Sequence, residues 1–335
     1  MRKPVNVIDF HSHIVPGRYP ERPASCTEPN WPAMEKIDDQ HSRMMIAGRQ
    51  FRVFESFYWN ADERIARLDE EGIDVQVISP LPELLSYWLA PDAAEAITDF
   101  MNQFVRDMVG KAPTRFAGMG SVALQDPERA VRQLGEMKYA LGLKGVHVGS
   151  HVNGVSIADE RFYPFLEAAE SLELFVFVHG IKPGGAALML GPSLMPAVLG
   201  VPHENAVAIS SFIMTDILGR FPRLKLVFSH GGGTIGAVID RFTAVWKEFE
   251  PMRRAVAISP EDYLRRFHYD TVVFGADYLA YLAKKVGASQ LVAGTDGPVD
   301  FGQPRVADLL GAAGVPHADR ERIAHVNAER LLGSG

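Results

Sequence analysis

Eight short apolar runs recur along the chain, at residues 5–14, 75–80, 116–123, 145–149, 175–179, 225–230, 271–274 and 290–296. Val, Ile and Phe dominate them, and runs of that length and composition predict β-strands. Helical apolar spacing fills most of the intervals, at 61–72, 91–110, 127–141, 162–174, 210–221 and 235–250, with Gly72 as a C-terminal stop for the first. Strand followed by helix about eight times predicts an α/β fold, a (β/α)8 TIM barrel formed by residues 1–335 as one domain. A doubly wound open sheet is the alternative. It lacks its glycine-rich phosphate turn, because residues 11–18 carry histidine where Gly-x-Gly would stand.

Two stretches interrupt the alternation. Residues 15–60, rich in Pro, Arg and aromatics, form a small insertion after strand 1. Residues 180–209, rich in Gly and Pro, form a long loop after strand 5. In a barrel both lie at the C-terminal mouth, where active sites sit, and long loops there act as lids or pocket walls. No internal repeat or low-complexity tract is present.

Composition narrows the classes. Apolar residues make up 47% of the 335, enough for a sizeable core. Net charge is -7 and no Lys/Arg cluster occurs, which disfavours nucleic-acid and anionic-membrane partners. Cys26 is the only cysteine, so no internal disulfide forms. The N-terminus leads directly into a strand without a signal-peptide core, and no uninterrupted apolar stretch reaches about 18 residues. A soluble, cytoplasmic protein is expected.

The chemistry lies at the strand ends. His11 and His13 close the first run, and side chains two apart on a strand share a face. His179 ends the fifth run, His230 the sixth and Asp296 the eighth. Four imidazoles and a carboxylate delivered to one concavity are poorly explained by packing and need a partner, which a divalent metal supplies. Asp9 is expected to orient a ligand histidine. His147 reads as structural, and His41, His203, His268, His317 and His325 as surface or loop residues.

The set His11-x-His13, His179, Ser229-His230-Gly231-Gly232-Gly233 and Gly294-Thr295-Asp296 resembles the amidohydrolase superfamily. Phe51-Arg52-Val53, Ser86-Tyr87-Trp88, Ser150-His151-Val152-Asn153 and Arg241 extend the likeness toward its aminocarboxymuconate-semialdehyde decarboxylase branch, over nearly the whole chain. That resemblance implies one divalent metal per chain, zinc in this branch with manganese as the alternative, held by His11, His13, His179 and Asp296. It makes His230 the acid/base beside a metal-bound water. It makes Arg52 a grip for a substrate carboxylate, joined by Arg241 from the neighbouring subunit of a homodimer. His151 is a further candidate for substrate contact. Dinuclear relatives use a lysine at the end of strand 4, where this chain has Gly149-Ser150-His151; hence one metal.

The implied activity is non-oxidative decarboxylation of an unsaturated or aromatic carboxylic acid. A hydrolase or hydratase acting on a lactone, amide or enol acid is the alternative, and a metal-free binding protein the third reading. The chain departs from the branch after the strand-5 and strand-8 ligands, reading Gly180-Ile181-Lys182-Pro183 and Gly297-Pro298-Val299, and has no Trp in 192–196. These changes predict an altered pocket, smaller and with fewer aromatics, around conserved machinery.

Overall fold

The computed structural model describes residues 6–22, 26–298, 303 and 305–333. Eight parallel strands form one sheet in sequence order. They are β1 (Ile8–Ile14), β2 (Val75–Pro80), β3 (Phe116–Gly120), β4 (Gly145–Gly149), β5 (Phe175–His179), β6 (Leu226–Phe228), β7 (His268–Asp270) and β8 (Leu291–Val292). The ring closes through backbone bonds from Phe10 N to Ala293 O (2.8 Å), Asp296 N to His11 O (2.9 Å) and His13 N to Gly297 O (2.8 Å). The strands are followed in turn by helices α1 (Ala61–Glu71), α2 (Pro91–Lys111), α3 (Pro127–Tyr139), α4 (Tyr163–Ser171), α5 (Val201–Met214), α6 (Ile235–Glu248), α7 (Ala276–Val286) and α8 (Val306–Ala312). This is the (β/α)8 barrel that the alternation predicts.

Three predicted strands, at 75–80, 145–149 and 175–179, have the same bounds in the structure; others are trimmed at their ends. Val5, where the first run begins, lies outside the described residues. The seventh strand is displaced: 271–274 is not a strand, and His268–Asp270 takes its place. Its three residues are polar or amphipathic, so no apolar run marks it, and the run that follows lies in the loop beyond. The helix after β5 also begins earlier than predicted, at Val201 after a π-turn over Pro196–Gly200. Pro196 and Pro202, two of the prolines that suggested a loop, stand in opening positions of these helical segments, where a missing N–H is tolerated.

Ile8, Phe10, Val77, Met119, Phe175, Phe177, Val227 and Val292 fill the barrel interior. Phe10 stacks obliquely on Phe175 with ring centroids 4.8 Å apart, while the next residue, His11, packs edge-on against Phe177 at 5.0 Å. Neighbours on a regular strand face opposite ways. Here β1 carries a bulge: it advances from Asp9 to Ser12 while β2 advances only from Gln76 to Ile78. The extra residue lets Phe10 fill the core and still turns His11 and His13 inward at the mouth.

The insertion after β1 is a three-stranded antiparallel sheet, Ala33–Lys36, His41–Ile46 and Arg49–Glu55. Met44 and Phe54 anchor it on Val15, Tyr58, Leu81 and Leu84. The start of α5 is wedged between the ends of β5 and β6. A Cβ on Gly180 would lie 1.9 Å from the Val201 carbonyl oxygen, and one on Gly233 would lie 1.6 Å from that of Pro202, so both positions require glycine.

His268, expected on the surface or in a loop, instead opens β7, and its Nδ1 is buried without a partner among the described residues. Burial pushes its imidazole down to about 4. In the unfolded chain the ring takes a proton near pH 6.5, whereas the folded chain resists protonation until about pH 4. The stability that the neutral ring contributes is therefore complete above pH 6.5 and is lost as pH falls from there toward 4. The loss is about 2 kcal/mol by pH 4.5. Urea unfolding at pH 7 and 4.5 should show His268→Gln losing less stability than the wild type by that amount; equal losses would remove His268 from the acid sensitivity.

Candidate metal centre and active-site pocket

One ligand atom each from His11, His13, His179 and Asp296 lie within 4.8 Å of one another, and all four residues are buried. Each imidazole has its Nδ1 occupied by the protein. His11 Nδ1 meets Asp270 Oδ2 at 2.5 Å, His13 Nδ1 meets Ser79 Oγ at 3.2 Å, and His179 Nδ1 meets the Gly180 carbonyl at 2.8 Å. Fixing Nδ1 in this way leaves Nε2 to point at the common centre. His11 Nε2 and His13 Nε2 are 3.1 Å apart, and Asp296 Oδ1 is 3.2 Å from the first and 3.1 Å from the second.

The electrostatics suit a divalent cation. Burial pushes the imidazoles of His13 and His179 below their ordinary value, so both are neutral donors. Burial works against the Asp296 carboxylate, yet His11 and the hydrogen bonds from His11 and His13 hold it well below the usual range. For His11, burial is overridden by Asp296 and Asp270, which together pull the ring up to about 10. Two buried carboxylates thus call for positive charge at this spot. A set of three imidazoles, each held at Nδ1, and one carboxylate fits a divalent metal ion.

His230 stands beside this group, its Nε2 3.2 Å from His179 Nε2. It has a left-handed backbone (φ 52°), as does Asp296 (φ 60°). Non-glycine residues held there are strained and occur where the surroundings over-determine them. Asp270 supplies that constraint: it accepts from His230 N (3.0 Å), Gly231 N (2.9 Å) and Val272 N (3.0 Å) as well as from His11. The orienting carboxylate for His11 is therefore Asp270, not Asp9. Asp9 binds Gln76 Nε2 (2.7 Å), Thr295 Oγ1 (2.7 Å) and the His11 backbone N–H (3.2 Å), because the bulge turns its side chain to the back of the site. Buried Arg64 extends that chain, donating to Gln76 Oε1 (2.7 Å) and the His13 carbonyl (3.0 Å). Neither Asp270 nor Arg64 stood out in the sequence. Asp270 carried one signal, a carboxylate closing a strand as Asp296 does, and Arg64 carried none beyond its place in a helical pattern.

The centre forms the floor of a cavity of about 760 Å³. Its walls include Arg52, His151 and Lys182, with Phe51, Phe57, Tyr58, Tyr87 and Trp88. Losing the expected aromatics after β5 has not made the pocket poor in aromatics. Arg52 is ion-paired with Glu83 at 3.1 Å. His151 uses both ring nitrogens locally: Nε2 contacts the carbonyls of Ile181 (3.0 Å) and Lys182 (3.2 Å), and Nδ1 accepts from Gly154 N (3.1 Å). His147, buried behind the ligands, contacts the Pro80 carbonyl at 3.1 Å. Arg241 is exposed on α6 and does not line the pocket of its own chain.

The amidohydrolase family model matches residues 8–334. The chain belongs to that family. This amidohydrolase is 33% identical to a 2-amino-3-carboxymuconate-6-semialdehyde decarboxylase of Dictyostelium discoideum, over 97% of this chain and 89% of the relative. It is 27% identical to the enzyme of the same name from Caenorhabditis elegans, over 97% and 94%. Among solved structures, a dihydroxybenzoic acid decarboxylase from Polaromonas sp. JS666, with bound manganese and 2-nitroresorcinol, superposes with a TM-score of 0.76 at 21% identity, over 98% and 97%. The protein is a metal-dependent enzyme of the amidohydrolase superfamily, a carboxy-lyase or hydrolase, in its aminocarboxymuconate-semialdehyde decarboxylase-like branch.

Purified wild-type protein should hold about one divalent ion per chain, His11→Ala/His13→Ala none, and Asp270→Asn should hold it about 10- to 100-fold more weakly with the fold retained. Chelator titration followed by mass spectrometry of metal content checks this. Unchanged retention in Asp270→Asn would show that this carboxylate does not position His11.

Proposed function

We propose that this enzyme is a non-oxidative decarboxylase of an unsaturated or aromatic carboxylic acid, acting in the cytoplasm with one zinc ion held by His11, His13, His179 and Asp296. The observation that carries the reading is His230 Nε2 standing 3.2 Å from a ligand imidazole at the floor of an aromatic-walled pocket that also holds cations. The ion would supply Lewis acidity, polarising a substrate oxygen and lowering the pKa of bound water. Arg52 recruits the acid, and its planar guanidinium suits a carboxylate. In decarboxylation the bond from carbon to the carboxylate breaks, carbon dioxide leaves, and a proton takes its place on the same carbon. His230, whose pKa burial lowers, can take a proton from solvent water and pass it to that carbon. The buried Tyr87 and partly buried Phe57 and Trp88 shield the floor and provide faces for a planar substrate.

We further propose that the active unit is a homodimer in which Arg241 enters the neighbouring pocket. Arg241 is exposed, with exposed Val238 one turn before it on the same helix. The segment Pro196–Met214, with mean hydropathy 1.2, is long and apolar enough to cross a membrane by length and composition. It is a ring helix of the barrel, with Ile209, Phe212 and Ile213 buried while Val198, Leu199 and Val207 face outward. Leu188 and Leu190 in the preceding loop are 85% and 89% exposed, and exposed apolar side chains of this kind suit a second copy.

Zinc- or manganese-loaded protein, given a panel of unsaturated and aromatic acids under nitrogen, is expected to release carbon dioxide in step with acid consumed. His230→Gln should lower kcat at least about 100-fold without loss of metal. Turnover of a lactone or amide with no carbon dioxide would replace this reading with the hydrolase. The dimer is checked by mixing. His230→Gln and Arg241→Ala are each expected to be nearly inactive, and co-refolded together they should recover about a quarter of wild-type activity, since half the dimers are mixed and each mixed dimer has one complete site. No recovery would place Arg241 outside the partner's pocket.

A further inference from the structure

Two cations line the pocket beyond the metal centre, and they differ in one respect. Arg52 is neutralised by Glu83 at 3.1 Å and stands near Glu55 on the same wall. The ammonium of Lys182 has no carboxylate within ion-pair distance among the described residues; its near neighbour is the Trp88 ring, 4.3 Å from Nζ to centroid. Lys182 is three residues beyond His179, in the loop that follows the strand delivering that ligand, and its side chain lines the same cavity as the metal ligands.

The segment that carries Lys182 is held rigidly. Lys182 has a left-handed backbone (φ 37°), an unfavourable state for a side-chain-bearing residue. It is kept there by the strand-4 end: His151 Nε2 contacts the carbonyls of Ile181 and Lys182, and Ile181 N donates to Ser150 Oγ at 3.3 Å. Ile181 itself is buried. Lys182 is exposed, but a strained turn fixed from a neighbouring strand, with Nζ seated over the Trp88 ring, presents its unpaired ammonium at the pocket wall. The aromatic face beneath Nζ stabilises the cation without consuming its hydrogen-bond donors, which remain available to an oxygen acceptor.

We propose that Lys182, seated on Trp88 and positioned by His151, is a specificity-determining residue that binds a second acidic group of the substrate, so that the preferred substrate carries two anionic groups, one directed to the metal floor and one to Lys182. This rests on the reading of the pocket as a carboxylic-acid site. Partial burial already pulls the Lys182 ammonium below its ordinary pKa. An anion beside it reverses that penalty, whereas a neutral substituent leaves it in place.

Calorimetric titration of the metal-loaded protein with benzoate, isophthalate and terephthalate tests this without requiring turnover. The wild type should bind the better dicarboxylate at least about 10-fold more tightly than benzoate, the discrimination expected of one charge-assisted hydrogen bond. Lys182→Met should abolish that preference while benzoate affinity changes less than about 2-fold, and Lys182→Arg should keep most of it. On any reactive di-acid the Lys182→Met loss should fall on KM more than on kcat. A wild type without dicarboxylate preference, a preference that survives in Lys182→Met, or an equal loss of both ligands would each overturn the assignment. If no acid releases carbon dioxide and the preference still depends on Lys182, the decarboxylase reading fails and the subsite stands.

Discussion

The Asp270 carboxylate is the interaction on which the centre depends. It sits fully buried at the end of β7 and receives four donors, the His11 ring and the backbone N–H groups of His230, Gly231 and Val272. An isolated carboxylate in that position would be very costly; this one is compensated on every side. Burial alone would raise its pKa, but His11 and the hydrogen bonds to it bring the carboxyl below its ordinary value, so it stays an anion. The same group therefore orients one member of the ligand set and pins the strained backbone of His230. Loosening it would disturb both at once, since their geometries share a single acceptor.

The barrel makes that arrangement possible through two local irregularities. The bulge in β1 separates the demands of core and site, giving Phe10 to the interior and His11 and His13 to the mouth within consecutive residues. The wedge of α5 against Gly180 and Gly233 fixes the chain immediately after His179 and after the His230-Gly231-Gly232 turn. In both places a departure from regular structure aims a side chain, and the tightly packed surroundings make it the only conformation that fits.

Much of this was legible in the sequence because the barrel repeats its rule. A polar residue closing an apolar run is delivered to the mouth, and that pattern picked out His11, His13, His179, His230 and Asp296. The rule failed where the run was missing. β7 is His268-Tyr269-Asp270, whose inward packing comes from tertiary context, while Val272-Val273-Phe274 imitates a strand in the loop that follows. Asp9 attracted the orienting role by proximity in sequence, but orientation is a matter of which side of a bulged strand a carboxylate faces. His151 and Lys182 were separable only in three dimensions, since the bond between a strand-4 hairpin and a strand-5 loop leaves no periodic trace.

Floor and wall also differ in how firmly they are held, which bears on how substrates are distinguished. The floor groups are buried and reciprocally bonded, so removing one partner strands another and costs several kcal/mol. The wall is looser. The Arg52–Glu83 pair has side chains about two-fifths exposed on both partners, and an ion pair of that kind contributes about 1 kcal/mol or less. The Arg52–Glu83 pair can therefore open at little cost, whereas no carboxylate among the described residues pairs with Lys182. The two cations thus differ in how they are held: Arg52 is ion-paired with Glu83, whereas Lys182 stands over the Trp88 ring. Arg52 stands on the insertion sheet and Lys182 in the loop after β5, so both wall cations lie on segments outside the barrel strands that carry the floor, and the wall can change without reaching Asp270.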